Sequence, residues 1–528
     1  MNSNYPSGVT LNEQTIEGYA TENYHSRSVM PRIALVCTNA SVKPNADLFT
    51  EALKTLTSYV NEIAYIATNV DIPDHISYPP EGGFFFDTEC QESRYLWRWI
   101  TMAAPDLVIE IKSGLQNTVE ISGLESKVDF TKIGTPLEKP GSLIQSLASG
   151  DGQTPGKIPG MAITSSISDI KDSLTKIVEH ILDKGIERSL AGQELAKRAE
   201  RSPLEVACIL GNTYGFKLDE PINYIQGVAI SGRLRLKKLD SSYKDPSANI
   251  SDLVSFLKTE DGYEGNDGAG PNIAGMCWAD ELGQDTGDDS WNDLLVKAAN
   301  TYEKVPRGRS PNPCHPDFGC EDMFYIATML GRAFSFTGDT EYIESYVNFL
   351  LETKTQQPNG LFWHCRSTPY FWGRGNGFAA LAFAEGLEYL PEHHPERDKL
   401  IEMHEKHMNA MRSHQLPNGM WTQLLDFPGT YQELSATCMT GYALAKGIRK
   451  GWLPKTLLES VHLAWEGCSK RISNKADLVD VCTGTGFQAK RSDYLYRAAE
   501  YGYDDRGGSM AIWFATEMEL LNRHLNTK

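Results

Sequence analysis

Cysteine is scarce in this sequence, and long apolar runs are missing from it. Ten cysteines are spread singly over 528 residues, which excludes the dense disulfide framework of a small secreted domain and favours free thiols. Nowhere do about 18 apolar residues follow one another, as a membrane-spanning helix would require. The first residues, Met1–Pro6, have neither the basic nor the apolar region of a secretion signal. We therefore expect a cytoplasmic protein without a membrane partner, or a periplasmic one if a signal peptide has been removed.

Positive charge is also in short supply. Lysine and arginine number 50 against 69 acidic residues, which gives a formal net charge of -19. Because this charge repels phosphate backbones and no basic run stands out, we expect no nucleic-acid partner. An anionic sugar would instead need arginines placed locally. The remaining composition, 41% hydrophobic and 23% charged, is that of an ordinary globular protein, and the length predicts two domains.

The N-terminal part shows the alternation typical of an α/β domain. Short β-branched or apolar runs at 33–37, 63–66 and 107–111 alternate with helical patterns near 46–60 and 91–103. This alternation predicts a parallel sheet flanked by helices.

A change of texture marks the end of that domain. An amphipathic helical pattern at 167–186 is followed by a polar segment rich in Glu, Lys and Arg. We therefore place the boundary between 186 and 202, with an α/β domain at 1–195 and a second domain at 202–528.

The second domain is predicted to be helical throughout, since it lacks a convincing run of period-2 alternation. Twelve candidate helices suggest six hairpins, and a Pro-Asn-Gly turn recurs at 358–360 and 417–419, about one hairpin apart. We predict a multidomain protein with an all-α (α/α)6 barrel that follows the α/β domain and carries its site on the loops at one end. The candidate helices lie near 203–214, 223–238, 249–260, 271–282, 290–304, 320–337, 340–354, 374–389, 394–414, 433–449, 455–471 and 507–524.

Three segments of the second domain combine the residue types of a carbohydrate site. Such a site needs aromatic faces for a sugar ring, a carboxyl group for proton transfer, and cationic or neutral donors for a uronate. Segments 319–325, 360–366 and 370–378 supply all of these. Each also has an ordinary structural interpretation: Asp322 as a helix-capping carboxylate, His364 as a packed histidine, and the glycines of 370–378 as a helix start among core aromatics. The combination favours a site.

The same segments resemble a known family. Gly360-Leu-Phe-Trp-His364 and Phe371-Trp-Gly-Arg-Gly-Asn-Gly-Phe378 resemble the unsaturated rhamnogalacturonyl hydrolases of glycoside hydrolase family 105, and related unsaturated glucuronyl hydrolases form family 88. The resemblance spans roughly Ser202 to Leu521. It continues through Gln432–Thr437, Ala443–Trp452, Val481–Thr485 and Gly507–Ala511.

This resemblance implies a reaction and roles for particular residues. The reaction hydrates the C4–C5 double bond that a polysaccharide lyase leaves in a non-reducing-end uronate: an acid protonates the enol-ether carbon, water adds to the oxocarbenium-like centre, and the unstable hemiketal opens. One aspartate can serve as acid and then as base. The essential aspartate falls on Asp322, with His364 as the second catalytic residue, and neither a cofactor nor a metal is implied. As substrate-binding residues we predict Arg374, Trp363, Trp372, Asn376, Phe378, Tyr325, Arg366, Trp421 and Glu433.

Two departures from the family pattern leave the substrate open. The family often has His-x-Trp-Asp where this chain reads His364-Cys-Arg-Ser-Thr368, and Gly270–Gly275 stands where an acidic residue is usual. Arg366 could bind a uronate carboxylate or be a solvated loop arginine. A saturated glucuronide would require a second carboxylate, for which Glu433 or Glu321 is a candidate.

Three alternatives follow from these departures. The leading expectation is an enzyme whose partner is an oligosaccharide with a terminal unsaturated uronate. A hydrolase of saturated glucuronides on the same barrel is the runner-up. A non-catalytic carbohydrate-binding protein is the third possibility, although it would have no need of a general acid. Linkage, +1 sugar and oligomeric state are left open.

The N-terminal domain looks like parts of the zinc carboxypeptidase fold. A metal site of that kind needs a His-x-x-Glu pair after the first strand and a later histidine, but Cys37–Ser41 follows the strand and Lys112 stands where the histidine is expected. Without imidazole ligands a catalytic zinc has nothing to hold it. We interpret the domain as a non-catalytic relative. The similar segments are Tyr78–Gly83, Glu92–Ile100 and Pro105–Lys112.

Overall fold

The chain divides into two compact units, each described here by itself. The computed structural model describes residues 2–26, 29–39, 41–81, 89–124, 130–150, 152–219, 221–259 and 268–527. The first unit comprises 1–200 with 427–431 and 495–499, and the second comprises 201–426, 432–494 and 500–528.

The first unit is built on an eight-stranded sheet with the order β1-β4-β6-β5-β7-β10-β8-β9, while β2 and β3 pair separately. The strands are β1 (Asn2–Asn4), β2 (Gly8–Val9), β3 (Thr15–Ile16), β4 (Gly18–Thr21), β5 (Arg32–Thr38), β6 (Ala64–Val70), β7 (Leu107–Ser113), β8 (Thr118–Ser122), β9 (Thr135–Pro136) and β10 (Gly160–Ser165).

The predicted strands are confirmed as β5, β6 and β7, but the sheet is mixed rather than parallel. Leu35 in β5 lies opposite Ala67 on one side and Ile109 on the other, both in parallel register. Antiparallel pairs join β1 to β4, β4 to β6 and β8 to β10. These flanking strands are short or half-exposed, so their alternation is too brief to be recognised in the sequence.

Helices cover both faces of this sheet. They are α1 (Lys43–Thr57), α2 (Gln91–Ala103), α3 (Leu143–Ser149), α4 (Ile170–Lys184) and α5 (Leu190–Glu200). Because side chains alternate along a strand, Ile33 and Leu35 pack on one face and Ala34 and Val36 on the other. Strands buried on both faces read as continuous apolar runs, which is why β5 was predictable.

Polar side chains occupy the carboxyl ends of the central strands. Thr38 donates from Oγ1 to Glu110 Oε1 over 3.1 Å, and Lys112 Nζ lies 3.3 Å from Asp74 Oδ1 and 3.7 Å from Glu110 Oε1. Lys112 therefore takes part in an ion-pair cluster. Gly82 and Gly83, which belong to one carboxypeptidase-like segment, lie outside the described residues.

The second unit is helix-rich. Its helices are α6 (Pro203–Gly211), α7 (Tyr224–Leu239), α8 (Ser247–Val254), α9 (Gly270–Ala274), α10 (Ala279–Thr286), α11 (Ser290–Ala299), α12 (Cys320–Thr337), α13 (Thr340–Glu352), α14 (Gly373–Tyr389), α15 (Arg397–Ser413), α16 (Leu434–Lys450), α17 (Leu458–Lys470), α18 (Ser492–Leu495) and α19 (Asp505–Asn526), with two short strands, β11 (Leu478–Cys482) and β12 (Ala499–Gly502).

Most predicted helices are confirmed, and one is wrong. The helix predicted at 271–282 is two helices, α9 and α10, because the chain bends at Gly275. A β-carbon on Gly275 would lie 2.9 Å from the backbone of Asn223, so the break lets the two segments approach closely. The helix predicted at 249–260 ends early, at Val254, and its last residue lies outside the described part of the chain.

Six helices contact one another in a closed cycle: α7 contacts α9, then α12, α14, α16 and α19 follow in turn, and α19 contacts α7 again. The members are buried nearly all round; in α14 every residue from Gly373 to Leu387 is buried. The helices outside the cycle bury a single stripe, as α13 does with Ile343, Val347 and Leu350.

The two Pro-Asn-Gly turns lie between cycle helices and outer ones. Gly360 and Gly419 have φ of 94° and 86°, a left-handed conformation that favours glycine. A β-carbon on Gly419 would lie 1.9 Å from the carbonyl oxygen of Leu463, and one on Gly360 would lie 2.7 Å from that of Lys406. The repeated motif therefore seats each turn against the next outer helix.

A cluster of charges lies inside the helical unit. Glu385 is fully buried, 2.7 Å from Lys446 Nζ, and its other oxygen is within 3.7 Å of both Arg332 and Arg235. Burial alone would raise the pKa of this carboxyl, but Lys446 and the two arginines hold it well below its usual range. The cluster ties α14 to α7, α12 and α16.

Candidate active site

Asp322 lies in the first turn of α12 and is 7% exposed. It does not cap its own helix, since Gly319 occupies the N-cap position. Instead its Oδ2 accepts a hydrogen bond of 2.8 Å from the backbone N–H of His315. A β-carbon on Gly270 would lie 3.2 Å from Oδ1, so a glycine there leaves room for the carboxyl.

The protonation of Asp322 is unusual. Burial raises its pKa to about 7, and the neighbouring Glu321 adds to the rise, while the bond from His315 opposes it. A carboxyl with this pKa carries its proton in a substantial fraction of molecules at neutral pH and can release it, which is the requirement for a general acid.

His364 is fully buried and contacts a second carboxyl group, that of Glu321. Its Nε2 lies 2.8 Å from Glu321 Oε1 and its Nδ1 lies 2.5 Å from the hydroxyl of Tyr494. The other oxygen of Glu321, Oε2, is buried without a hydrogen-bond partner among the described residues. A buried unpaired carboxylate oxygen is costly unless a ligand or water satisfies it. The carboxyl that touches His364 is thus the residue before the predicted Asp322.

Arg374 and Trp372 join this group from the start of α14. The His364 and Trp372 rings lie 4.5 Å apart, and the Arg374 guanidinium lies 4.7 Å from the Trp372 ring. Arg374 also donates to the carbonyl oxygens of Cys482 and Thr483, at 2.5 and 2.7 Å. These bonds hold the loop after β11 against the site.

Tyr325 and Phe378 pack with Tyr224 in an aromatic cluster. The ring centroids of the three residues lie 5.2 to 5.9 Å apart. Burial raises the pKa of Tyr224 to about 12, with Arg374 opposing the rise and Glu321 adding to it. The charges of Arg374 and Glu321 therefore act on this cluster. Both Tyr325 and Phe378 are buried.

The guanidinium of Arg366, a half-buried residue, contacts backbone carbonyls and an aromatic ring. Its Nε donates to the carbonyl oxygen of Thr353 over 3.0 Å, Nη2 donates to that of Glu352, and the guanidinium stacks 3.9 Å from the ring of Phe318. It thus satisfies carbonyls at the C-terminus of α13, where a cation is favourable.

Two further predicted residues are engaged by the fold. The Asn376 amide is fully buried: Nδ2 donates to the carbonyl oxygens of Phe362 and Trp372, and Oδ1 accepts from the Phe362 N–H. The indole N–H of Trp421 donates to Met411 over 2.6 Å. Trp363 is only half-buried, and its backbone bonds to Thr355 and Cys320.

Glu433 is the N-cap of α16 and is fully buried. Its two carboxylate oxygens accept from the backbone N–H groups of Ser435, Ala436 and Cys482, at 3.0, 2.6 and 3.0 Å, and from the Ser435 hydroxyl. Because protein groups already donate to both of its oxygens, the Glu433 carboxylate takes part in structural hydrogen bonds.

Sequence reasoning missed Tyr494 and Phe487. Both lie in the segment after β11, where Phe487 packs 4.6 Å from His364 and 4.5 Å from His315. The segment has neither periodicity nor a motif, and only the three-dimensional contacts identify it. Within the described parts of the chain, no group of three or more His, Cys, Asp or Glu residues could hold a metal ion. No described helix is long and apolar enough to cross a bilayer.

Part of the helical unit is similar to known glycoside hydrolases. Residues 319–522 match the model of Glycosyl Hydrolase Family 88. An unsaturated 3S-rhamnoglycuronyl hydrolase from Alteromonas sp. (strain LOR) is 27% identical over 190 residues, which cover 35% of this chain and 41% of that relative. The match thus spans about two fifths of the relative's length. The predicted resemblance to these glycoside hydrolases is confirmed for the C-terminal part.

Solved structures agree on the fold. The structure of a C. acetobutylicum ATCC 824 glycoside hydrolase from family 105 is similar, with a TM-score of 0.54 at 20% identity. The match covers 60% of this chain and 98% of that one. A possible family 105 member from Salmonella enterica has a TM-score of 0.50 at 20% identity, covering 63% and 94%. None of these comparisons supports the predicted likeness of the first unit to zinc carboxypeptidases.

Proposed function

We propose that this protein removes a non-reducing-end unsaturated uronyl residue from oligosaccharides by hydrating its C4–C5 double bond. The observation that carries the proposal is a pair of adjacent carboxyl groups, the buried Asp322 and the partly buried Glu321 that contacts His364, within a segment that matches family 88. We further propose that the six-helix cycle is the inner ring of an (α/α)6 barrel. Residues 1–195 and 202–528 would be the two domains, the first a non-catalytic carboxypeptidase relative.

The two carboxyl groups suit opposite tasks. Asp322, with its pKa near 7, is proposed to donate the proton to C4. Glu321, whose Oε2 has no partner in the described part of the chain, is proposed to accept a proton from the water that adds to C5. The hemiketal then opens without further catalysis. His364 holds Glu321, and Arg374 contributes positive charge for the uronate.

The remaining predicted contacts divide by their environment. Trp372 and Trp363, with the rings of Tyr325 and Phe378, are proposed to shape the wall against which the sugar lies. Asn376, Trp421, Glu433 and Arg366 are proposed to support that wall through their backbone bonds rather than to touch the substrate.

A saturated glucuronide is the second candidate substrate, because hydrolysis of a saturated glycoside requires two carboxyl groups and Glu321 supplies the second. A carbohydrate-binding protein without chemistry would not need a buried carboxyl whose pKa is raised to about 7.

The test uses lyase-generated oligosaccharides from several polyuronides and follows the ultraviolet absorbance of the conjugated uronate. We expect absorbance to fall with at least one substrate, and the fall to disappear in Asp322→Asn and Glu321→Gln. Release of free uronate from saturated glucuronides, with no fall in absorbance from any unsaturated substrate, would replace this proposal with the second candidate.

A further inference from the structure

Tyr494 lies at the end of a hydrogen-bonded chain that leads to Glu321. The side chain is fully buried in α18. Its hydroxyl lies 2.5 Å from Nδ1 of His364 and accepts a hydrogen bond of 3.1 Å from the backbone N–H of Gln488.

The position of the hydroxyl proton follows from these contacts. The backbone N–H of Gln488 can only donate, so the Tyr494 oxygen accepts there and directs its own proton elsewhere. Within the described residues, His364 Nδ1 is the one acceptor within hydrogen-bonding distance of that hydroxyl. Burial raises the pKa of Tyr494, so the hydroxyl keeps its proton. Nδ1 is therefore the acceptor of this bond.

The tautomer of His364 is then determined. A neutral imidazole that accepts at Nδ1 carries its proton on Nε2. Nε2 faces Glu321 Oε1 at 2.8 Å and donates to it. One oxygen of Glu321 is thus fixed, while Oε2 has no hydrogen-bond partner among the residues that the structure describes.

We propose that Tyr494 is a positioning residue for the reaction: it fixes His364 in the Nε2–H tautomer and thereby holds Glu321 as a proton acceptor for the attacking water. This inference rests on the proposed function. Nothing in the sequence motifs of the site marks Tyr494, which reaches His364 from a segment more than a hundred positions away.

The inference has a structural signature that needs no substrate. In nitrogen-15 spectra of the histidine-labelled protein, His364, identified by its loss in His364→Gln, is expected to show a protonated Nε2 and an unprotonated Nδ1. In Tyr494→Phe that pattern should be lost or mixed, because Nδ1 no longer accepts a hydrogen bond from the tyrosine hydroxyl. A protonated Nδ1 in the unmutated protein would overturn the inference, even if the variant failed to fold.

Kinetics supply the second readout. We expect Tyr494→Phe to lower kcat by about tenfold to a hundredfold, as for other groups that orient an active-site histidine, with KM little changed. The pH profile of kcat should also broaden or shift. The charged and titratable groups packed around His364 and Tyr494 are Glu321 and Cys320 on α12, His315 and Asp317 before it, Cys365 and Tyr370 beside His364, and Arg374 on α14.

Tyr346→Phe is the matched control. Tyr346 is also fully buried and donates its hydroxyl proton over 2.9 Å, but to the backbone carbonyl of Gly386 and away from the site. It should change neither kcat nor the His364 spectrum. An unchanged kcat and spectrum in Tyr494→Phe would overturn the inference while the proposed function stands. An unmutated protein that is inactive on every unsaturated substrate would overturn the proposed function instead, and the spectrum would still decide the tautomer.

Discussion

Replacing Glu433 tests whether this carboxylate belongs to the fold or to the chemistry. In Glu433→Ala, three buried backbone N–H groups, those of Ser435, Ala436 and Cys482, lose their acceptor. Leaving one buried donor unsatisfied costs about 1–3 kcal/mol. Because water can enter the space and relax part of the loss, we expect a total destabilisation of about 3–5 kcal/mol, as for removal of one partner from a buried charged cluster.

A more conservative substitution of Glu433 should destabilise the protein less. Glu433→Gln keeps one carbonyl oxygen as acceptor but turns an NH2 group toward a backbone N–H. We expect about half the destabilisation of the alanine variant, on the order of 2 kcal/mol.

The assay is urea unfolding followed by tryptophan fluorescence. Asp339→Ala is the control, since Asp339 caps α13 in the same way, accepting from Glu341 N–H over 3.0 Å, but is exposed. Loss of an exposed cap costs about 1 kcal/mol. If Glu433→Ala were no less stable than Asp339→Ala and yet lost all turnover, Glu433 would be a catalytic group and its assignment to the fold would be refuted.

Three further predictions concern other buried charges. Because the pKa of Asp322 in the folded protein, about 7, lies above its unfolded value of 3.8, folding binds a proton between these values and stability falls as pH rises through that window. Asp322→Asn should therefore leave stability nearly unchanged at pH 4, raise it by about 4 kcal/mol at pH 8, and abolish turnover; equal effects on stability at both pH values would contradict this. Glu385→Ala should lower the unfolding free energy by about 3–5 kcal/mol, because the surrounding cations lose their buried counter-charge. A urea midpoint equal to that of the unmutated protein would show that the cluster is not needed for stability. Arg366→Ala should lower stability by about 1–2 kcal/mol, because backbone carbonyls lose their donor, and should leave KM unchanged. A large rise in KM at unaltered stability would instead show that Arg366 binds the substrate.

The fold was predictable where the sequence pattern is long. The longer cycle helices, such as α12 and α14, extend over four to five turns, and their many apolar positions make them recognisable in the sequence. The break at Gly275 was not predictable, because it depends on the approach of Asn223 from another segment. The strands β2, β3 and β9, at two residues each, are too short to carry a period.

The site was predictable in composition more than in orientation. Residue type indicated which groups can bind a sugar acid, and His364, Trp372 and Arg374 do lie together. The sequence does not show that the charged groups of Glu433 and Arg366 form hydrogen bonds with the backbone. On a helix start, consecutive side chains point in different directions.

For the same reason, only the three-dimensional structure shows which of the two carboxyl groups, Glu321 or Asp322, contacts His364. Glu321 faces His364, while Asp322 faces His315 and Gly270. One residue of offset in a helix turns a side chain by about 100°.

The most direct test of the central claim is the reaction carried out in heavy water, with the released sugar acid analysed by nuclear magnetic resonance. The proposed mechanism predicts one deuterium at C4 of the product, together with loss of the conjugated absorbance, and both should disappear in Asp322→Asn. Release of a uronate that keeps its double bond, or that carries no deuterium at C4, would contradict hydration of the double bond.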